Sequence, residues 1–356
     1  MRRAVTLLIV ALLAGSAIVP LLLGGGEALM SALRLSPQAY LAILAATIAG
    51  WLLRALKQGL LMRQLQIDAG PARVFAISQA TELAFLATPG GVGGYAAGIW
   101  YLRGVGASYA SATAIAAADQ VLDLLFFALA VPAALPFLAD APELGSLREV
   151  ARISALATLA IVLVGILARR PLSAWLIGAD GAPGAIERLP YLRRRSSAVR
   201  EFFVGLRAQA RILTTASPGF FAAVFACTAL QWFARYGVLW LILILLGHPL
   251  SFALLFLLQG LVLHAGQWSG APAGVGGADL GLAASLAPFV PAAGIATALL
   301  LWRLATLHLT LLAGVGCALV LRAQRQHQCA AAAGATEAVV ATGGSTMMAG
   351  ALRARR

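Results

Sequence analysis

A proline- and glycine-rich hexapeptide occurs twice in this chain, and each copy interrupts an apolar stretch. Residues 89–94, Pro-Gly-Gly-Val-Gly-Gly, return 183 positions later as residues 272–277, Pro-Ala-Gly-Val-Gly-Gly. Lipid offers no water to the peptide groups that such a break leaves open, so breaks are tolerated only inside protein or beside a cavity. Two matched breaks in the two halves of an apolar chain are typical of repeat-built transporters, whose ligand site lies near the breaks.

The apolar stretches themselves fix the class of protein. Of the 356 residues, 61% are hydrophobic and only 11% are charged, against roughly 25% charged in soluble proteins. Stretches of about 20 apolar residues recur, and each is long enough to cross a hydrocarbon layer of about 30 Å. The sequence therefore predicts an all-α integral membrane protein, folded as a polytopic helical bundle.

The net charge of +13 comes almost wholly from arginine, since Lys57 is the only lysine. The arginines lie between apolar segments, as in cytoplasmic loops that face anionic headgroups. Membrane lipids, and not nucleic acid, are therefore the expected partner. The three cysteines have no paired spacing and give no indication of disulfides or a metal site.

Hydropathy predicts six complete membrane helices and two interrupted segments. The first helix also resembles a cleavable signal peptide, but its apolar run continues to Leu23 and is interpreted as a retained span. The predicted helices lie near 4–23, 39–56, 107–135, 151–168, 219–246 and 292–321, and the interrupted segments near 72–103 and 251–289.

Charge in the connections predicts the orientation of these helices. The arginine-rich segment 169–218 is expected in the cytoplasm, together with both chain termini, and the acidic segment 136–150 outside. The segment after the second helix is also expected inside, because it carries Arg54, Lys57, Arg63 and Arg73 against Asp68.

Six crossings satisfy these assignments only if each interrupted segment is re-entrant. The two hexapeptides then enter from opposite sides of the membrane, which predicts two inverted-topology repeats. The expected organisation is a first membrane half at 1–168 with repeat 1 at about 39–135, a cytoplasmic connection at 169–218, a second membrane half with repeat 2 at 219–321, and a disordered tail at 322–356.

The hexapeptides suggest a binding site for an anionic group. Proline ends a helix, and the glycines let the backbone reverse direction. Amides freed at the reversal can bind a phosphate, and an adjacent helix N-terminus adds its dipole. The alternative is that the glycines only permit close helix packing, as small residues do in membranes.

Ionisable residues inside apolar segments are further candidates, because charge in a membrane is costly. Arg303 either contacts a lipid phosphate or pairs with Asp119 or Asp123. These two aspartates share a helix face and either bind a cationic headgroup or a proton, or neutralise arginines. The predicted lipid-binding residues are Glu82, Pro89, Gly90, Gly91, Gly93, Gly94, Asp119, Asp123, Pro272, Gly274, Gly276, Gly277, Asp279 and Arg303.

Short segments in a fixed order carry a family resemblance: 88–95 (TPGGVGGY), 102–106 (LRGVG), 119–123 (DQVLD), 271–279 (APAGVGGAD), Gly294 and 299–304 (LLLWRL). Over roughly residues 1–321 the chain resembles the flippase-like membrane region of lysylphosphatidylglycerol synthases and their stand-alone relatives. The resemblance implies movement of a modified lipid between leaflets, with a separate soluble domain attaching the amino acid.

The chain departs from the family pattern at three places. Tyr95 and Ala96 stand where an acidic residue often follows the first hexapeptide, and Asp119-Gln120 stands where a Glu-Arg pair is usual. Only an alanine- and glycine-rich tail follows Arg322, so aminoacyl transfer by this chain is not expected.

No catalytic constellation, metal-ligand spacing or phosphate-binding loop is found in the sequence, and no cofactor is expected. The leading interpretation is a translocase in a bacterial-type inner membrane that moves an anionic or modified phospholipid through a midplane cavity. The alternative is a non-transporting partner that holds or delivers a lipid intermediate, of polyprenyl or hopanoid type, to a biosynthetic enzyme. The sequence leaves a homo-oligomer open.

Overall fold

The computed structural model describes residues 2–138, 196–268 and 271–327, and single helical positions between 149 and 167. The predicted helix at 151–168 is thus described only in part. Most of the arginine-rich connection and the tail beyond residue 327 lie outside the described residues.

Helices account for almost all of the described chain. The two hexapeptides each contain a short 3₁₀ turn, here named break 1 (Pro89–Gly91) and break 2 (Pro272–Gly274). The continuous helices are α1 (Arg2–Leu33), α2 (Pro37–Gln64), α3 (Pro71–Ala87), α4 (Val92–Arg103), α5 (Tyr109–Ala134), α6 (Ser196–Thr214), α7 (Pro218–Leu245), α8 (Phe252–Trp268), α9 (Gly277–Leu286) and α10 (Ala292–His327).

Five of these helices are long and apolar enough to cross a membrane within the described ranges. Together they make the chain an all-α, multi-pass membrane protein, as the composition predicts. The candidate spans are Ala14–Leu33, Pro37–Gln64, Tyr109–Phe137, Pro218–Leu245 and Ala292–His327.

Local sequence explains where the principal helices begin. Ser36 and Ser217 each precede a proline, and their hydroxyl oxygens accept hydrogen bonds from the backbone N–H groups of Ala39 and Phe220. Serine satisfies a free N–H at a helix start, and proline has none to satisfy. Ser108 caps α5 in the same way.

Three helices are longer than predicted. α1 continues past residue 23 to Leu33, through a non-helical Gly25 with φ 52°. α10 runs to His327, beyond the predicted end at 321, and contains one π turn at Leu304–His308. α2 ends at Gln64 instead of residue 56, so Arg54 and Lys57, assigned to a cytoplasmic loop, lie inside a membrane helix.

Packing brings the two hexapeptides into contact. α2 packs along α7, α1 packs along α10, and break 1 contacts break 2. A cluster of aromatic rings fills the space between α5, α7 and α8, and its members are Phe126, Phe127, Trp232, Tyr236 and Phe256. The breaks are therefore held by both halves of the chain.

Candidate functional site

Glu82 of α3 forms ion pairs with two arginines from different helices. Its Oε2 lies 2.8 Å from Nη1 of Arg54 on α2, and its Oε1 lies 2.7 Å from Nη1 of Arg235 on α7. The Glu82 side chain is only 7% exposed, so the carboxylate depends on these partners for its charge. The contacts connect a helix beside break 1 with a helix of the second half.

Lys57 forms a second group of ion pairs one turn further along α2. Its side chain is 1% exposed, and its Nζ lies 2.6 Å from Asp119 and 3.0 Å from Asp123 on α5. Trp232 of α7 also donates its indole N–H to Asp123, at 3.0 Å. The i, i+4 spacing of the aspartates places both carboxylates on one face of α5, as expected.

The two groups lie one turn apart on α2, and together, as the charge network, they balance their charges. Three basic side chains, Arg54, Lys57 and Arg235, meet three carboxylates, Glu82, Asp119 and Asp123. The six residues come from α2, α3, α5 and α7. Compensation of this kind lets ionised groups lie deep in a membrane protein.

A cavity opens beside this network, between α2, α3, α4 and α5. We name it cavity 1. Arg54 and Asp119 line it and present opposite charges, and Tyr95 contributes a phenolic ring. The other lining residues are Gln58, Leu61, Thr81, Phe85, Gly94, Gly98, Leu102, Ile115 and Ala116.

Cavity 2 lies within the second half of the chain, and Leu86 of α3 closes it from the first half. Arg235 and Gln259 line it, and the Gln259 Oε1 atom is buried without a hydrogen-bond partner. Arg54 lines cavity 1 and Arg235 lines cavity 2, so Glu82 is paired with one arginine from each cavity.

Arg303 does not join this network and pairs with neither Asp119 nor Asp123. It pairs with Asp279, whose Oδ1 accepts from Nε and whose Oδ2 accepts from Nη2 at 2.8 Å. The two residues are 3% and 0% exposed. This bidentate geometry occupies the planar edge that a lipid phosphate would use.

The Arg303–Asp279 pair also holds the backbone of break 2. Arg303 donates to the carbonyl oxygens of Ala273 and Gly274, and Asp279 accepts from the N–H of Gly276 at 2.9 Å. The predicted site residues Asp279 and Arg303 are thus together, and their contacts join α9, α10 and the turn.

Both breaks place residues in the left-handed region of φ. Gly90 has φ 59° at the second position of break 1, and Ala273 has φ 53° at the same position of break 2. Glycine adopts this conformation freely, whereas alanine is strained there by its Cβ. The contact from Arg303 to the Ala273 carbonyl stabilises the strained turn.

The later glycines of the first hexapeptide serve close packing. A Cβ on Gly94 would overlap the ring of Phe85, and a Cβ on Gly93 would overlap the side chain of Thr88. These glycines let α4 approach α3, which is the packing alternative raised by the sequence. Gly94 additionally lines cavity 1.

The remaining predicted residues lie around the breaks. Pro89 and Gly90 are exposed, Gly91 and Pro272 are half-buried, Gly274 is buried, Gly276 is half-buried and Gly277 is exposed. Cavity 1 is lined by Gly94 and Asp119, and cavity 2 by Arg303, while Asp123 and Glu82 act through their ion pairs.

Sequence reasoning missed Arg54, Lys57 and Tyr95 as site residues. Arg54 and Lys57 are three residues apart on one helix face, and apolar Leu60, Leu61 and Met62 follow them. That continuation of the apolar run was the available signal that α2 extends beyond the two charges.

Comparison with known proteins agrees with this membrane architecture. No individual curated protein matches the chain. Residues 4–314 match a protein family described as the lysylphosphatidylglycerol synthase TM region, and this range includes every residue that lines the two cavities. The chain therefore belongs to the lysylphosphatidylglycerol synthase TM region family.

Proposed function

We propose that this protein is a lipid translocase that binds a phospholipid headgroup in cavity 1 and passes it between membrane leaflets. The observation that carries the proposal is the position of Glu82, whose two arginine partners line different cavities. Membership of a membrane family often linked to lipid handling supports the same interpretation.

Cavity 1 has the charges that a phospholipid headgroup requires. Arg54 offers a guanidinium to a phosphate, and Asp119, whose side chain is 23% exposed, offers a carboxylate to a hydroxyl or ammonium group. Cavity 1 is otherwise mainly apolar, which suits the start of the acyl chains. The headgroup site is therefore proposed at the charge network and not on the glycine backbone.

A phosphate at Arg54 competes directly with Glu82. The three basic and three acidic side chains are balanced, so an entering anion weakens the hold of Arg54 on the carboxylate. Glu82 remains paired with Arg235 across the two halves, and Arg235 is the more exposed arginine, at 35%. When a phosphate takes Arg54 from Glu82, the carboxylate depends on Arg235 alone. Binding of a headgroup in cavity 1 would in this way influence the opening of cavity 2.

The proposal includes two inverted-topology repeats, as transporters of this kind have. The order of long helix, broken helical hairpin and long helix occurs once in α2–α5 and again in α7–α10. Tyr109 and Ala292, the first residues of α5 and α10, have the same 183-residue separation as the hexapeptides. An inner membrane with both termini in the cytoplasm completes the proposed arrangement.

A leaflet-resolved assay in proteoliposomes tests this function. The purified chain is reconstituted with a headgroup-labelled phospholipid, and the label in the outer leaflet is quenched over time. Glu82→Gln and Arg54→Gln should each slow transfer at least about tenfold, because Glu82→Gln leaves Arg54 and Arg235 without their carboxylate and Arg54→Gln removes the proposed phosphate ligand. Arg34→Gln, at an exposed residue after α1, is the control and should transfer lipid at the wild-type rate.

Wild-type liposomes that transfer no faster than protein-free liposomes would contradict the translocase function. Lipid binding that persists in that preparation, and weakens in Arg54→Gln, would support the non-transporting partner instead.

A further inference from the structure

We infer that three arginines around the α4–α5 loop form a separate binding site for the headgroup of an anionic phospholipid. Arg73 lies in the first turn of α3, Arg103 ends α4 and Arg325 lies near the end of α10. All three side chains reach the short segment between Trp100 and Tyr109. The site lies outside both cavities and is independent of the proposed transfer of lipid.

Backbone carbonyl groups position the three guanidinium groups. Arg73 donates to the carbonyl of Gly104 at 3.2 Å, and Arg103 donates to that of Ala107 at 2.7 Å. Arg325 donates to the carbonyl of Trp100 at 2.9 Å. Gly104 leaves room for this arrangement, because a Cβ there would overlap the Arg325 guanidinium.

These contacts orient the arginines without neutralising them. The carbonyl acceptors are uncharged, and within the described residues no carboxylate lies within 4 Å of any of the three guanidinium groups. The Nε atom of Arg73 is buried and has no hydrogen-bond partner. This cluster contrasts with the balanced charge network, in which every basic side chain has an acidic partner.

Two exposed aromatic side chains place the cluster at headgroup level. Arg325 lies over the ring of Trp100, 3.8 Å from its centroid, and Arg103 lies over that of Tyr109 at 4.4 Å. Trp100 is 54% exposed and Tyr109 is 61% exposed. Tryptophan and tyrosine concentrate at membrane–water interfaces, and arginine beside them is positioned to bind lipid phosphate.

A bound headgroup would also join the two halves of the chain. Arg73 and Arg103 belong to the first hexapeptide hairpin, whereas Arg325 belongs to the last long helix. The ligand class that fits is therefore an anionic phospholipid, with one phosphate reached by guanidinium groups from both halves.

Native mass spectrometry of the full chain in neutral detergent tests the site, with dioctanoyl-phosphatidylglycerol as the probe. With Arg54→Gln in both proteins, so that cavity 1 does not contribute, the triple variant Arg73→Gln, Arg103→Gln, Arg325→Gln should bind the probe at least tenfold more weakly than its parent, since each arginine near an anionic headgroup contributes about fivefold. Arg322→Gln removes one exposed charge a helical turn from Arg325 and should bind as the wild type does. Arg54→Gln should also retain this site, which separates it from cavity 1.

Equal binding of phosphatidylglycerol by the triple variant and its parent would overturn the assignment. So would displacement of the lipid by an equal concentration of inorganic phosphate, because the site would then recognise a soluble anion. If the triple variant does not fold, Arg103→Gln alone serves as the test, because it changes an exposed residue. This variant should bind the probe about fivefold more weakly. Binding of the probe by Arg103→Gln with wild-type affinity would also overturn the assignment.

Discussion

Break 1 and break 2 share a hexapeptide pattern and a left-handed turn, but the side chains that hold them differ in charge. Break 2 is held by Asp279 and Arg303, a buried ion pair. The positions 183 residues earlier carry Ala96 and Gln120, and Gln120 accepts a hydrogen bond from the Tyr95 hydroxyl at 2.7 Å. The break 1 turn itself is held by Thr88, whose hydroxyl oxygen accepts from the N–H of Gly93 at 3.0 Å. The first half thus has neutral contacts where the second half has a buried charged pair.

This difference indicates which turn is fixed and which can change. Breaking an ion pair in a low-dielectric interior leaves a charge unpaired, whereas a neutral hydrogen bond exchanges more easily with water or ligand. Tyr95 is 37% exposed and lines cavity 1. We therefore expect break 2 to act as the rigid side of the centre and break 1 as the side that responds to ligand.

The largest expected effect follows from Asp279→Asn. Arg303 would remain buried without a counter-charge, so the free energy of unfolding should fall by about 3–5 kcal/mol. Thermal unfolding of the purified protein measures it. The double variant Asp279→Asn, Arg303→Met removes both charges and should recover part of the loss; a single variant as stable as wild type would show that break 2 does not depend on charge.

A smaller loss of unfolding free energy is expected from Gly94→Ala in the first half. The added Cβ overlaps Phe85, and overpacking of this kind costs about 1–3 kcal/mol. Phe85→Leu in the same chain should relieve the loss. Gly316→Ala is the control, because it adds a Cβ in open space on an exposed helical position and should be neutral or slightly stabilising.

Exchanging the second residues of the two breaks should change the free energy of unfolding by about 1 kcal/mol, in opposite directions. Ala273→Gly removes strain from a left-handed residue, and Gly90→Ala introduces it. Denaturation midpoints of the two variants compare them directly. Equal shifts of the same sign would contradict the equivalence of the two turns.

Tyr95→Phe should have the smallest effect on stability, a loss of about 0.5 kcal/mol, because it removes one neutral and partly exposed hydrogen bond. Its effect on lipid binding should be larger than that of Tyr109→Phe, which alters an exposed tyrosine outside cavity 1. If Tyr95→Phe binds lipid as the wild type does, break 1 does not respond to the ligand.

The sequence predicted the helices that carry simple signals. α5, α7 and the start of α10 lie within two residues of the predicted bounds, because long apolar runs there begin at serine or proline. The end of α2 was missed because Arg54 and Lys57 look like loop residues until their partners are known. Those partners lie on other helices, and Asp123 is 66 positions away from Lys57.

The charged site was predicted as a set of residues but not as a set of pairs. Glu82, Asp119, Asp123, Asp279 and Arg303 were all selected, since charge in apolar segments is rarely accidental. The rotation and depth of each helix decide which charges meet, and periodicity does not give either. Arg303 therefore pairs with the aspartate of α9, in its own half of the chain, and not with those of α5.

Lys57 gives the charge network a chemical consequence. It is the only lysine in the chain, and its side chain is buried between two carboxylates. Apart from the chain terminus, an amine-selective reagent has no other primary amine to modify. Labelling of Lys57 therefore reports directly how often the centre of the protein opens, without any engineered probe.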